Sequence, residues 1–201
     1  MNMKKTLYVT ARAVKIPGEE CDLSFVPPMT KRRFSPLQKV VFALLNPVAP
    51  KGTEPKIVFA SRYGEVKLTH DLVETFNAED EVSPWKFSSS VYNAAPGLYS
   101  VFAGNRSTYT AIAAGEETVE NSLIETVFEN GRTVWCYAEE ADGGYGAAMK
   151  FDGCPDAEAG SWKVEVTEGG GGLIGFDEVV RFIGGEIGTL AGRRISLRRL
   201  G

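Results

Sequence analysis

The residues most suggestive of chemistry lie in one stretch, Ser83 to Glu117, which reads SPWKFSSSVYNAAPGLYSVFAGNRSTYTAIAAGEE. Its second part is an alternating segment, Thr108–Ala113, that runs straight into an acidic helix start at Glu116-Glu117. Strand-to-helix corners of this kind carry the nucleophile in many α/β enzymes, because the helix N-terminus favours negative charge. Here the corner reads Ala113-Ala114-Gly115-Glu116 and offers no Cys, Ser or His. Ser88-Ser89-Ser90 supplies hydroxyls, yet no histidine is near them in sequence to act as base; the single one, His70, reads as a surface or capping residue. Glu116, Glu117 and Glu120 have the chemistry for acid–base work. Acidic side chains also simply suit the first turn of a helix, and that is the reading adopted.

The elements that would position this corner follow from periodicity. Thr6–Val14 alternates and predicts a half-buried strand, and Lys15–Thr30, with Pro17-Gly18 and Pro27-Pro28, predicts a loop. Ser35-Pro36 is a helix start, with Ser as N-cap and Pro in the first turn. Leu37, Val40, Val41, Leu44 and Leu45 form that helix's apolar stripe, and Pro47 is expected to stop it. Lys56–Ala60 is a continuous apolar run, the pattern of a central strand. A loop over Ser61–Glu65 precedes a helix over Leu68–Phe76. One helix from Ser88 to Ala103, kinked near Pro96, comes next. The corner strand Thr108–Ala113 leads into a helix over Glu116–Phe128, ended by Asn130-Gly131.

Beyond it lie a strand over Val134–Ala138 and a glycine-rich loop over Ala141–Gly146. Ala147–Phe151 and Trp162–Thr167 are expected to form an antiparallel pair connected through Cys154-Pro155. Gly169–Gly172 reads as a flexible hinge, Phe176–Ile183 as a short helix, and Arg194–Leu197 as a last edge strand. This order predicts a layered α/β domain: a mixed β-sheet with helices on its faces.

Composition narrows the function. A chain of 201 residues fits one domain, and a formal charge of −4 with pI near 5.2 argues against nucleic acid or an anionic membrane as partner. Lys31-Arg32-Arg33, Arg193-Arg194 and Arg198-Arg199 read as solvated faces. Cys21, Cys136 and Cys154 are odd in number and lack metal-ligand spacing, so neither a disulfide framework nor a zinc site is expected. Cys136 reads as a small buried hydrophobe. Asp152, Asp156 and Glu158 match no calcium loop and read as a solvated turn. The N-terminus reads as a strand rather than a signal peptide, no apolar run is long enough to span a bilayer, and the cytoplasm is the expected location.

Several features together carry a resemblance: Phe59-Ala60-Ser61-Arg62-Tyr63-Gly64-Glu65, Ser83-Pro84, Trp85-Lys86-Phe87, Ser90-Val91-Tyr92-Asn93, Gly97, Gly104-Asn105-Arg106, Tyr109-Thr110-Ala111-Ile112-Ala113, Ala114-Gly115-Glu116-Glu117 and Asn130-Gly131. In this order and spacing they resemble the N-terminal, thiolase-fold half of the β-ketoacyl synthases. Within that family they are closest to the short chain length factors found with aryl-polyene biosynthesis, with a best-matched core of residues 57–140. The resemblance implies half of a thiolase-like fold. A condensing enzyme of the family holds a Cys at this corner, where the helix start makes it a thiolate; here that place falls to Ala114, Gly115 or Glu116. The histidines of decarboxylation belong to a second half, which a chain of this length is not expected to contain.

What the resemblance implies is a non-catalytic subunit, without cofactor or metal. It would pair with a full-length, Cys-bearing β-ketoacyl-ACP synthase as a heterodimer, with acyl carrier protein involved only indirectly. The corner strand, with Tyr109, Ala111 and Ile112, would lie at the two-fold. Trp85, Lys86, Phe87, Val91 and Tyr92 would reach the partner and shape its acyl tunnel. Two alternatives stand beside it: a homodimeric scaffold module that binds an acyl chain or carrier protein, and an enzyme such as a hydrolase using Cys136 or a serine.

Overall fold

A computed structural model of the chain describes residues 4–79, 81–154 and 161–200. The first strand, β1 (Lys5–Lys15), leads through a short helix α1 (Pro28–Lys31) into α2 (Pro36–Val48) and β2 (Lys56–Ala60). Three helices follow, α3 (Val66–Glu79), α4 (Pro84–Ser89) and α5 (Ala94–Ala103), before β3 (Tyr109–Ile112). A 3-10 turn over Gly115–Glu117 opens into α6 (Thr118–Phe128), then β4 (Thr133–Glu139), β5 (Tyr145–Asp152) and β6 (Trp162–Glu168). The chain closes with α7 (Phe176–Gly184), β7 (Thr189–Ala191) and β8 (Ile195–Leu200).

The strands join in one sheet of order β3-β2-β4-β5-β1-β6-β8-β7. β3, β2 and β4 run parallel, and every later neighbour pairs antiparallel. The mixed layered sheet is as expected, but two pairings differ. β5 and β6 are not partners, because β1 lies between them and pairs with both, Tyr8–Lys15 facing β5 and Lys5–Val9 facing β6. An eleven-residue strand has two long edges to satisfy, and sequence adjacency does not reveal a strand inserted from the far end of the chain. The last strand is not the edge either: β7 pairs outside β8.

Helices cover both faces. On one, α2 and α5 bury an aromatic cluster in which Phe42 meets Phe34 at 4.3 Å and Tyr99 edge-on at 5.1 Å between centroids. On the other, Val119, Leu123 and Val127 of α6 and Val179 and Phe182 of α7 pack over Trp135, Val164 and Leu197. The Trp135 indole N–H donates to Ser122 Oγ at 2.8 Å, so the largest buried ring leaves no polar atom unmet.

Local chemistry explains the helix boundaries. Ser35 Oγ accepts from the Gln38 N–H at 3.0 Å while Gln38 Oε1 accepts from the Ser35 N–H at 3.2 Å, a closed capping box ahead of Pro36. Pro47 does not stop α2. It lies inside the last turn, and Ala49 N–H still reaches Leu45 O at 2.7 Å before the backbone departs at Ala49. The expected kinked helix over Ser88–Ala103 is two helices parted at Ser90–Asn93. Pro96 sits in the first turn of α5, where its missing N–H has no intrahelical partner to lose, so it causes no kink. Short α1 overlaps the end of the predicted loop over Lys15–Thr30.

The glycine-rich segment Gly169–Gly172 is a seam rather than a hinge. Gly170 and Gly171 N–H groups donate to Gly192 O at 3.0 and 2.9 Å. A Cβ on Gly169 would lie 2.4 Å from the Arg193 backbone and one on Gly171 2.2 Å from Ala191 O. Only glycine allows two backbones to come this close.

Candidate functional site

The corner is held at three points. β3 ends beside β2, where the Ser61 N–H meets Ile112 O at 3.4 Å. The Tyr92 hydroxyl accepts from that same N–H at 2.9 Å and faces the carbonyls of Ser61 (2.5 Å) and Ile112, to one of which it donates. Burial pushes the Tyr92 phenol up to about 12, which keeps it protonated and able to donate at any physiological pH. After β3, buried Thr118 stitches the turn: its Oγ1 accepts from the Ala114 N–H at 2.9 Å and donates to Gly115 O at 2.7 Å.

Of the three candidate positions for a reactive residue, Gly115 forms the apex. Its φ is +56°, the left-handed region, and a Cβ there would meet nothing within 4 Å. Ala114 keeps an extended φ of −141°, and Glu116 lies in the 3-10 turn, exposed and 3.6 Å from Arg62. The backbone therefore makes a tight elbow at the start of α6 whose apex has no side chain. None of Ala114, Gly115 and Glu116 carries a thiol, so none can form an acyl thioester.

Below the corner, two buried carboxylates with no local sequence signal fasten the β2–α3 turn. Glu139, at the end of β4 and 1% exposed, accepts from Ser61 Oγ at 2.9 Å, from the Tyr63 N–H at 3.4 Å and from the Arg62 N–H. Glu65, equally hidden, accepts from Ser35 Oγ at 2.8 Å, while its second oxygen has no partner. Burial pushes the Glu65 carboxyl up to about 7, and the nearby Glu140 charge adds to the rise against the lowering by the Ser35 and Gln38 hydrogen bonds. With the folded value above the unfolded one, the stability tied to Glu65 is full below about pH 4.5 and is lost as pH rises toward 7. Glu65→Gln is therefore expected to match the parent at pH 5 and to be more stable by roughly 2 kcal/mol at pH 8. Urea unfolding at the two pH values checks it; a difference that does not change with pH would show that Glu65 does not titrate.

The third acid, Glu120, is not a helix-start ornament. It is fully buried and accepts from the backbone N–H groups of Arg194 (2.5 Å) and Ile195 (3.2 Å), clasping the β7–β8 turn against α6. Glu117 adds contacts to Arg193 (3.2 Å) and Arg194 (3.6 Å). Two of the basic clusters are thus used inside the chain: Arg193-Arg194 at this clasp, and Arg198-Arg199 through Glu165 (2.5 Å) and the Trp162 ring (4.1 Å). Arg33, of the remaining cluster, lies over Trp85 at 5.8 Å.

The residues expected to face a partner are not all brought together. Trp85, Val91 and Tyr109 line one groove beside the open edge of β3. Trp85 also closes a second apolar groove of about 350 Å³ with Phe34, Leu98, Val101 and Phe102. Phe87 turns to the opposite side of α4 and faces α3. Lys86 is exposed, Ala111 and Ile112 are half-buried on β3, and Tyr92 points inward as the clamp already described. Asn93, at the N-cap of α5, makes no side-chain cap; the Tyr92 hydroxyl ties the backbone near the corner.

The remaining reactive groups are elsewhere. No disulfide forms; Cys136 is fully buried, which pushes its thiol well above the ordinary range and leaves it no nucleophile. His70 is exposed on α3, 3.7 Å from Glu74. With Asp71 these make the metal-ligand-type grouping found among the described residues, all of it at the surface. Asp152 pairs with Arg132 at 2.8 Å; Asp156 and Glu158 lie outside the described residues, as does Pro155. Among the described residues no helix is long and apolar enough to cross a membrane.

Comparison with known proteins adds three findings. A family model described as Beta-ketoacyl synthase, N-terminal domain, matches residues 8–132. No curated protein matches the sequence. Among solved structures, a ketosynthase (ApeO) in complex with its chain length factor (ApeC) from Xenorhabdus doucetiae aligns at TM-score 0.73 and 15% identity, over 98% of this chain and 99% of that one. The fold is thus a thiolase-like ketosynthase half, matched to a chain of nearly equal length.

Proposed function

Because the chain belongs to the family of β-ketoacyl synthase N-terminal domains, we propose that it is a chain length factor: a non-catalytic subunit that pairs with a Cys-bearing β-ketoacyl-ACP synthase and shapes its acyl tunnel in polyene or fatty-acid-like biosynthesis. One observation carries this reading. The elbow at the start of α6 is kept in detail, stitched by Thr118 and Tyr92, while its apex is Gly115. A frame maintained without its nucleophile serves assembly rather than bond-making. The open edge of β3 supplies the place for assembly, and Trp85, Val91 and Tyr109 beside it supply apolar contact. The solved complex of a ketosynthase with its chain length factor supports the pairing by analogy of fold.

Co-expression with a candidate synthase tests the reading: a one-to-one complex is expected, and failure to co-purify overturns it. Within that complex Trp85→Ala is expected to lengthen the acyl product by one or two elongation steps. Removing a bulky wall relieves an overpacking cost on the order of 1–3 kcal/mol per step. Phe87→Ala, on the far side of α4, is expected to leave product length unchanged. Mass spectrometry of the products distinguishes them, and an unchanged Trp85→Ala distribution removes Trp85 from the tunnel.

A second reading, a homodimeric scaffold that holds an acyl chain or carrier protein, is favoured by the apolar groove of about 350 Å³ beside Trp85. A stable homodimer of the isolated chain in size exclusion, indifferent to added synthase, would select it.

A further inference from the structure

Helix α5 carries no charged residue, and its Val101 is 83% exposed. Met29 of α1, which lines the same groove of about 350 Å³, is 67% exposed. Buried Phe34 and Phe42 form the base of that groove and Trp85 one side of it. A helix without a polar face, beside a recess floored by aromatic rings, is surface made to be covered.

Charge inside the groove says what would cover it. Besides Thr30 and Arg33, every side chain that lines it is apolar, and Arg33 is the one charged group among them. Its guanidinium lies over the Trp85 ring at 5.8 Å and meets no carboxylate among the described residues. The other two arginine clusters differ: Arg193 pairs with Glu117 and Arg198 with Glu165. Lys31 and Arg32 do not line the groove, so an occupant meets a single positive charge there. An acidic partner helix presents several carboxylates and a membrane many phosphates, whereas one guanidinium suits one anionic group. Its planar fork matches a carboxylate, whose charge it balances; a phosphate monoester carries nearly two. The volume lies at the low end of the range for small-molecule sites.

We propose that this groove binds a free medium-chain carboxylate, its head paired with Arg33 and its chain lying over Phe34 and Phe42 between Met29 and Val101. The proposal deepens the acyl-chain reading of the same groove and rests on it; neither a synthase nor a homodimer is required. Trp85 also lines the groove beside β3, so its ring stands between this ligand and the open edge. The site uses no group of the elbow at the start of α6.

The test is isothermal titration calorimetry of the full chain with octanoate, 1-octanol and acetate. Octanoate is expected to bind one to one with a Kd on the order of 200 μM, 1-octanol about 5-fold more weakly, and acetate not at all. Arg33→Gln is expected to bring octanoate down to the level of 1-octanol and to leave 1-octanol unchanged. Val101→Glu, at an exposed position, is expected to weaken octanoate roughly 10-fold by setting a like charge at the rim. Circular dichroism and Tm of each variant guard against misfolding. Equal affinities for octanoate and 1-octanol overturn the carboxylate and leave the acyl-chain reading standing. Octanoate binding that neither variant alters puts the ligand elsewhere and overturns the site. If octanoate does not bind and the chain sediments with phosphatidylglycerol vesicles, a membrane surface is the occupant and the proposal is overturned. If neither amphiphile nor vesicles bind, the acyl-chain reading of this groove falls with it.

Discussion

Ala111→Pro is expected to leave the chain folded yet weaken the proposed complex with a synthase on the order of 100-fold. The reason lies in the direction of the β3 backbone. Ile57 N–H donates to Thr108 O at 3.2 Å and Ser61 N–H meets Ile112 O at 3.4 Å, so residues 108, 110 and 112 face β2. By alternation, Tyr109 and Ala111 turn their N–H and C=O groups to the open edge. Proline at 111 removes an outward N–H and places a ring where an incoming strand must approach, while the β2 ladder is untouched. Thr110→Pro is the matched control. It removes an inward N–H and is expected to cost the isolated chain about 2–3 kcal/mol. Analytical ultracentrifugation with added synthase reads the first, and urea unfolding reads the second. An Ala111→Pro chain that binds normally would show that partners do not meet through this edge.

Glu139→Ala is expected to destabilise the isolated chain by about 3 kcal/mol or more. Three donors converge on this carboxylate, and each would be left unmet in a site nearly closed to water. The turn they anchor is the one that Tyr92 links to the end of β3, so the corner loosens with it. Glu139→Gln keeps the shape and one good acceptor and is expected to cost about 1 kcal/mol. The urea midpoint should fall with an unchanged slope. A loss below 1 kcal/mol in Glu139→Ala would mean that water replaces the carboxylate at no cost.

How much of this was legible depended on whether the signal was local. The capped start of α2, the apolar run of β2 and the alternating β3 ahead of an acidic turn declare themselves in neighbouring residues, and each stands where the sequence put it. The break between α4 and α5 did not, because a proline three residues inside a helix looks the same in sequence as one that kinks it. The place of β1 between β5 and β6 is a long-range fact that no window of residues contains. Nor does any window reveal buried glutamates: Glu65, Glu120 and Glu139 are driven inside by backbone N–H groups and hydroxyls from distant turns. At the corner, sequence left Ala114, Gly115 and Glu116 equivalent, and backbone geometry alone distinguishes Gly115. For the aromatic residues, two positions along a short helix were enough to send Trp85 and Phe87 to opposite sides.

The insertion of β1 also sets a schedule for synthesis. Tyr8 must find Asp152 and Lys5 must find Val166 before the sheet can close. Until residues 145–168 leave the ribosome, the first strand made has no partner on either side, and the parallel half of the sheet waits on an antiparallel strand that does not yet exist. Loop closure over such separations is slow, and the waiting segment is an alternating strand with two bare edges. A nascent chain therefore holds β1 unpaired for most of its translation, and a chain cut short before residue 145 lacks both strands that β1 pairs with.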